Sequence, residues 1–511
     1  MLQRRQLLLG LGQAGLAAFA GLGAGAAHAT ARPQDFDTAT PRQPLLAPLK
    51  GVDDITGDRD AVATLRGRWP AELRGRFYRN GPALFERGGQ RYHHWFDGDG
   101  MVQQFSIGDG AVRHRGRLVR TTKLRAEQQA GRFLLPTLGT HIAGAPPISG
   151  PDAVNVANTN ALEHAGRVLA MWEGGSAYAL SPQDLSTAGP VTWRADLAQV
   201  PFSAHPKVDP AGHLWNIGTA GQRLVVWHID PQGRLVRVQL GELPLPAGLR
   251  GSMVHDMAVT ERYLVVPLPP VGIDFMQVPA DGRRRFRLAA GEPLRVLVME
   301  KADITQRRVF ELPAEMVFHV GNAHETADGE IAFSFIGAPD ASFLDQGAVA
   351  MMAGRAAPQV SESSLRLVRL HMGTGRVQLQ ALKGDVEFPR VHPQRIGLPA
   401  RWLLTAAAWP LYPARQGYGL LHGVQLLDTH TGRTQRHDYG EHVVAEEHVL
   451  VPKPGKTGEL DAWLLGTTYD ARRQATVLNL LDAARIADGP IAQAVLPYGL
   501  PLGFHGNFTA A

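Results

Sequence analysis

Asp209-Pro210-Ala211-Gly212-His213-Leu214-Trp215-Asn216-Ile217, followed by Arg223-Leu224-Val225-Val226-Trp227-His228-Ile229-Asp230, is the stretch that decides the fold. A Pro/Gly turn leads into a short run of aromatic and aliphatic residues, and a second turn leads into another. Such runs suit a pleated, buried surface, and the Gly and Pro around them mark strand ends. The same unit recurs at 164–172 with 176–181, 261–266 with 294–299, 328–335 with 364–370, 400–405 with 423–428, and 461–466 with 475–480. A repeat of roughly 45–65 residues built from short strands predicts propeller blades. The chain has room for about seven or eight of them, within the usual range. A pair of β-sandwiches is the competing arrangement.

The composition agrees with many turns and few long helices: 57 Gly and 36 Pro stand among 511 residues. Length alone suggests about three domains, but a closed ring of repeats is one unit. The expected organisation is therefore a segment 1–29, an extended N-terminal arm 30–60, and a single β-propeller catalytic domain 61–511. Two stretches break the strand pattern, 123–144 and 340–363. Both read as helical or loop insertions capping one face, where sites tend to lie.

Residues 1–29 read as a twin-arginine signal peptide. Gln3-Arg4-Arg5-Gln6-Leu7-Leu8-Leu9 precedes a Gly/Ala-rich apolar stretch that ends in Ala27-His28-Ala29, a small-residue cleavage signature. The expectation is an exported protein, periplasmic or extracellular. Gly10-Leu11-Gly12-Gln13-Ala14-Gly15 matches a dinucleotide-binding pattern, but it follows no strand and lies inside the leader. Removal of Arg4 and Arg5 takes the net charge from +5 to +3. That charge is too small and too interspersed with acids for a nucleic-acid partner. With no cysteine in the chain, disulfides, thiolate metal sites and thiol catalysis are excluded.

Any metal must then be held by His, Asp or Glu. Four histidines stand in distinctive segments: His205 in Ala204-His205-Pro206-Lys207, His255 in Val254-His255-Asp256, His319 in Phe318-His319-Val320, and His505 in Phe504-His505-Gly506. Inner strands of a propeller run along its axis, so side chains distant in sequence can meet there. Four imidazoles on a six-coordinate first-row ion would leave two positions open, a set that suits Fe(II). On spacing alone, His93-His94 and His213 qualify as well as these four. Asp97-Gly98-Asp99-Gly100 resembles a calcium loop but lacks its terminal Glu and spacing, and reads as a structural turn.

Several motifs appear in order: Arg79-Asn80-Gly81-Pro82, His93-His94-Trp95-Phe96-Asp97-Gly98-Asp99-Gly100-Met101, Asn155-Val156-Ala157-Asn158-Thr159-Asn160, Glu387-Phe388-Pro389-Arg390, and Pro501-Leu502-Gly503-Phe504-His505-Gly506. From about Gly75 to the C-terminus the chain resembles the carotenoid cleavage oxygenase family. The resemblance implies a seven-bladed all-β propeller with Fe(II) on its axis, held by His205, His255, His319 and His505. It implies Glu173, Glu387 and Glu447 as carboxylates that hydrogen-bond three of those rings. Glu447 adjoins Glu446 and precedes His448, where relatives usually carry Pro. Glu325, in Asn322-Ala323-His324-Glu325, fits the pattern without an assigned role.

The expected reaction is cleavage of a conjugated C=C bond of a carotenoid or apocarotenoid by O2 into two carbonyl products. Each product takes one oxygen atom, and the alkene supplies the electrons, so no further cofactor is required. The partners are O2 and a lipophilic conjugated alkene, with peripheral membrane contact at the insertions. One alternative keeps the site and changes the substrate to a lignin-derived stilbene or phenylpropene. Another is a non-catalytic propeller that carries lipophilic ligands.

Overall fold

A computed structural model describes residues 33–53, 57–246, 248–273, 285–415 and 417–511. The expected signal peptide, 1–29, lies outside the described residues. Seven antiparallel sheets of four or five strands follow one another around an axis. Blades 2 to 6 are formed from consecutive segments. Their innermost strands are Asn160–His164, Lys207–Val208, Ala258–Val259, Met316–Glu325 and Asp385–Arg390. The ring is the seven-bladed propeller, and its burial explains why the repeat reads as apolar runs. Middle strands lie between neighbouring blades and are buried on both faces, as in Tyr263–Leu268, every residue of which is buried. Outer strands meet solvent, as in Val377–Ala381, which is mostly exposed.

Blades 1 and 7 are closed by both ends of the chain. The C-terminal strand His505–Ala510 pairs with Gly75–Leu84 and becomes the inner strand of blade 1, with His505 opposite Asn80. The early strand Thr64–Gly67 pairs with Ala492–Val495 as the outer strand of blade 7. This interlock packs Phe77 and Phe105 of blade 1 against Leu465, Leu478 and Leu480 of blade 7.

The N-terminal arm is wound rather than extended. Pro33–Ala39 is an α-helix, and Thr40–Arg42 and Pro44–Lys50 are 3₁₀ turns. The reason is where its prolines fall: Pro41 and Pro44 open the turns, and a φ near −65° suits a first helical position. Phe36, Leu45, Leu46 and Leu49 pack with Phe85, Trp95, Met351 and Met352, so the arm covers blade 1 and the second insertion. No helix among the described residues is long and apolar enough to cross a membrane.

The first insertion opens with the helix Thr122–Ala130, whose Leu124 N–H donates to the Thr121 hydroxyl at 3.1 Å. Its Lys123 is fully buried and donates to Tyr92 Oη at 2.7 Å, Asp99 at 3.0 Å and Glu127 at 2.8 Å. Asp97 accepts from Gly139 N and the Thr140 hydroxyl. The Asp97-Gly98-Asp99-Gly100 turn is thus a clamp on this insertion. The second insertion carries the π-helical turn Phe343–Gly347 and the helix Ala348–Met352. His94 donates from Nε2 to Leu344 O at 2.9 Å while its Nδ1 accepts from Phe96 N.

Replacing Lys123 by Met leaves two buried carboxylates without their cation. Breaking a buried pair in this way costs about 3–5 kcal/mol, so urea unfolding of Lys123→Met should show a loss of that order.

Candidate metal centre

Each of the four histidines reaches the axis from an inner strand or from the segment just before one. His205 stands one residue before Lys207–Val208, and its N–H donates to the Ser203 hydroxyl at 3.2 Å. His255 precedes Ala258–Val259. His319 lies in Met316–Glu325, where the register shifts between Val317 and Val320, and such irregularities re-aim side chains. His505 opens the closing strand.

The structure brings all four together, with one ligand atom from each lying within 4.8 Å of all the others. The Nε2 atoms of His205 and His255 are 2.9 Å apart, and those of His319 and His505 are 3.0 Å apart. His255 is partly buried and the other three are buried. This is the one group of three or more potential ligands among the described residues. His94 is committed to the contacts above, and His213 pairs with His228 at 3.0 Å.

Three of the rings meet carboxylates at Nδ1. His255 contacts Glu173 at 2.6 Å, His505 contacts Glu447 at 3.0 Å, and His319 contacts Glu387. Donation from Nδ1 fixes the tautomer and turns the Nε2 lone pair inward. With both rings neutral, His319 and His505 direct two lone pairs at each other across 3.0 Å, a repulsive arrangement that a cation relieves. Two ligand atoms about 2.1 Å from one ion and at right angles stand roughly 3.0 Å apart. The donor set and its spacing therefore fit a first-row metal.

Charge at the centre follows the same logic. Burial pushes the His505 imidazole down to about 3, against the attraction of Glu447. Burial, reinforced by the other three imidazoles, holds His205 well below its ordinary range. Both rings are neutral near pH 7 and available as ligands. At His319 burial also opposes the charge, but the Glu387 carboxylate outweighs it and the value rises. Burial raises the Glu447 carboxyl, yet Arg390 and His505 bring it far below the carboxylate range.

The two adjacent acids of blade 7 part company at a register shift between Ala445 and His448. Glu447 turns to His505, and also accepts from Arg390 at 2.9 and 3.0 Å and from Gly506 N at 2.8 Å. Glu446 turns to Arg79 at 3.1 Å and Gly503 N at 2.6 Å. Arg79 and Arg390 both lie in motifs quoted above, but sequence reasoning gave neither a role; two buried acids side by side were the signal that each needed a cation. Phe388 was missed as well. It sits at φ 57° and stacks on His319 with centroids 5.4 Å apart, and a bulky residue with that φ is a strained feature of the kind found at sites. Glu325 faces away from the centre: it accepts from the Thr260 hydroxyl at 2.7 Å and Arg262 N at 2.9 Å.

His255, His319 and His505 open onto a cavity of about 1140 Å³. Its lining runs from the Ala220-Gly221 turn of blade 3, past His255, His319 and His505, to Trp409 and Tyr412 of blade 6. Phe96 packs between Phe504, at 4.9 Å, and Phe318, at 6.2 Å, and all three line it. Leu138 and Phe343 bring both insertions to the same space. Most of the lining is apolar. Asp385 is an exception: it accepts from Ser363 N at 3.2 Å, and burial raises its carboxyl to about 6.

Residues 54–510 match the family described as retinal pigment epithelial membrane protein, and the chain belongs to that family, the carotenoid oxygenases. It is 30% identical over 495 residues to the apocarotenoid-15,15'-oxygenase of Synechocystis sp., covering 92% of this chain and 98% of that one. It is 27% identical to the lignostilbene-α,β-dioxygenase isozyme III of Sphingomonas paucimobilis, over 91% of this chain and 96% of that one. The isoeugenol monooxygenase of Pseudomonas nitroreducens is also 27% identical, over 86% and 92%. The structure of cobalt-substituted Synechocystis apocarotenoid oxygenase superposes with a TM-score of 0.79 at 27% identity, covering 95% of this chain and all of that one. The protein is accordingly an oxygenase of the carotenoid cleavage type, which removes the reading as a non-catalytic carrier.

Removal of an orienting carboxylate typically lowers metal affinity by about 10–100-fold. Glu387→Gln should do so, measured as iron retained after dialysis against a graded chelator, with the fold intact by circular dichroism.

Proposed function

We propose that the protein is a non-haem Fe(II) dioxygenase that cleaves a conjugated C=C bond of a carotenoid or apocarotenoid into two carbonyl products. The observation that carries this reading is the convergence of four imidazole Nε2 atoms, three of whose rings line a large, mostly apolar cavity. His205, His255, His319 and His505 would hold the ion. Fe(II), when bound, supplies the redox-active centre at which O2 reacts with the alkene. Glu173, Glu387 and Glu447 meet three rings at Nδ1, fix them in direction and leave Nε2 to face the centre. Trp172, Phe318 and Phe504 line the space beside the rings and exclude water from it. The cavity is larger than the roughly 300–1,000 Å³ of common ligand sites, as a long polyene requires. Its length, rather than any catalytic side chain, selects the bond that lies beside the centre. One oxygen atom enters each carbonyl, so the reaction balances without an external reductant.

A second substrate reading has its own support. Asp385 puts a carboxyl in an otherwise mainly apolar cavity, where it can accept a hydrogen bond from a ring hydroxyl. That favours a hydroxylated stilbene or phenylpropene. Product mass analysis after incubation with a β-apocarotenal or a hydroxystilbene distinguishes the two. Two aldehydes from the apocarotenal alone support the first reading, and turnover of the stilbene alone replaces it with the second. Protein folded with Fe(II) should hold stoichiometric iron, and His255→Ala should lose both iron and activity while the propeller stays folded.

We also propose export by the twin-arginine route, supported by Arg4-Arg5 and Ala27-His28-Ala29. The exported chain should begin at Thr30 by intact-mass analysis. Replacing both arginines by lysine should leave the precursor inside the cell.

A further inference from the structure

The two shortest inner strands carry two of the four histidines. Lys207–Val208 and Ala258–Val259 are two residues each, and His205 and His255 lie just before them. A two-residue ladder fixes a backbone weakly, whereas His319 stands in the ten-residue strand Met316–Glu325. Something other than the sheets must hold the first two segments at the spacing of the third.

Asp256 does so. The residue is 3% exposed. Oδ1 accepts from Lys207 Nζ at 2.8 Å and from Met257 N at 2.6 Å, and Oδ2 accepts from Val320 N at 2.8 Å. Lys207 is two residues beyond His205, and Val320 directly follows His319. One carboxylate thus joins blades 3, 4 and 5 beside three of the four rings. Glu173, Glu387 and Glu447 hold rings; Asp256 holds the backbones from which rings project. His205, which has no carboxylate at its ring among the described residues, depends on this tie most.

We propose that Asp256 is a positioning residue: it locks the His205 and His255 segments to the His319 strand, and so sets the affinity and symmetry of the metal centre. The proposal rests on the four histidines binding a metal. It is read with cobalt(II) added to the apo full-length protein, followed by visible absorption, beside the urea midpoint of the same apo protein. Wild type should bind stoichiometrically, and His319→Ala should not; failure of wild type to bind overturns the metal centre itself and this inference with it. Asp256→Asn keeps the size of the side chain and removes the ion pair. Cobalt affinity should fall at least tenfold, with a changed band pattern and a folded protein by circular dichroism. Asp256→Glu should recover part of the affinity. A lower urea midpoint with wild-type affinity and spectrum would mean a purely structural salt bridge and overturns the proposal. Should Asp256→Asn fail to fold, Lys207→Met decides in its place: reduced cobalt affinity supports the tie, and unchanged affinity refutes it.

Discussion

Four imidazoles crowded at one point with inward lone pairs repel one another, and the rest of the molecule is arranged to hold them there. A neutral ring costs less to bury than a charged one, and burial keeps His205 and His505 neutral. Neutral rings alone would rotate away from the crowded point. The contacts of Nδ1 with Glu173, Glu387 and Glu447 stop that rotation. The direction of three of the rings is therefore set from outside the centre, by carboxylates at Nδ1.

Those groups need support in turn. An ionised carboxylate in a closed interior is tolerable when paired and hydrogen-bonded, and Glu447 has Arg390 and Gly506 N as well as His505. Glu446 has Arg79, and Asp256 has Lys207. The charges around the axis are thus paired across different blades. Ring closure belongs to the same scheme, because His505 reaches the axis only when the last strand pairs with Gly75–Leu84. A chain that failed to close would lack one of the four histidines and with it one partner of Glu447.

The β-repeat was legible in the sequence because each strand is short, apolar and bounded by Gly or Pro. The number of blades was ambiguous, seven or eight, because the first and last blades borrow strands from opposite ends of the chain, and local spacing carries no trace of that exchange. The histidines were legible as a set only through ordered motifs, since spacing offered His93, His94 and His213 on equal terms. The choice of Glu447 over Glu446 depends on an irregularity in strand pairing, which residue identities do not reveal. The wound arm was misread for a simpler reason. Prolines break a helix from within but start one from its first turn, and here Pro41 and Pro44 occupy starting positions.

The cavity is built differently from the centre it serves. The histidines and their carboxylates belong to inner strands or to residues bordering the sheets, whereas Leu138, Ala341, Phe343 and Leu344 come from the two insertions. Those insertions are fastened to blade 1 by separate contacts, Lys123 with Asp99 in one and His94 with Leu344 in the other. None of these contacts includes a ligand or its carboxylate. Changes in the insertions can therefore reshape the cavity while the imidazoles stay in place. Relatives named for apocarotenoid, stilbene and isoeugenol oxidation stand at similar identity to this chain, as a site divided in this way allows. Selectivity here is a matter of which atoms the apolar walls admit, and the chemistry is a matter of which lone pairs the propeller holds together.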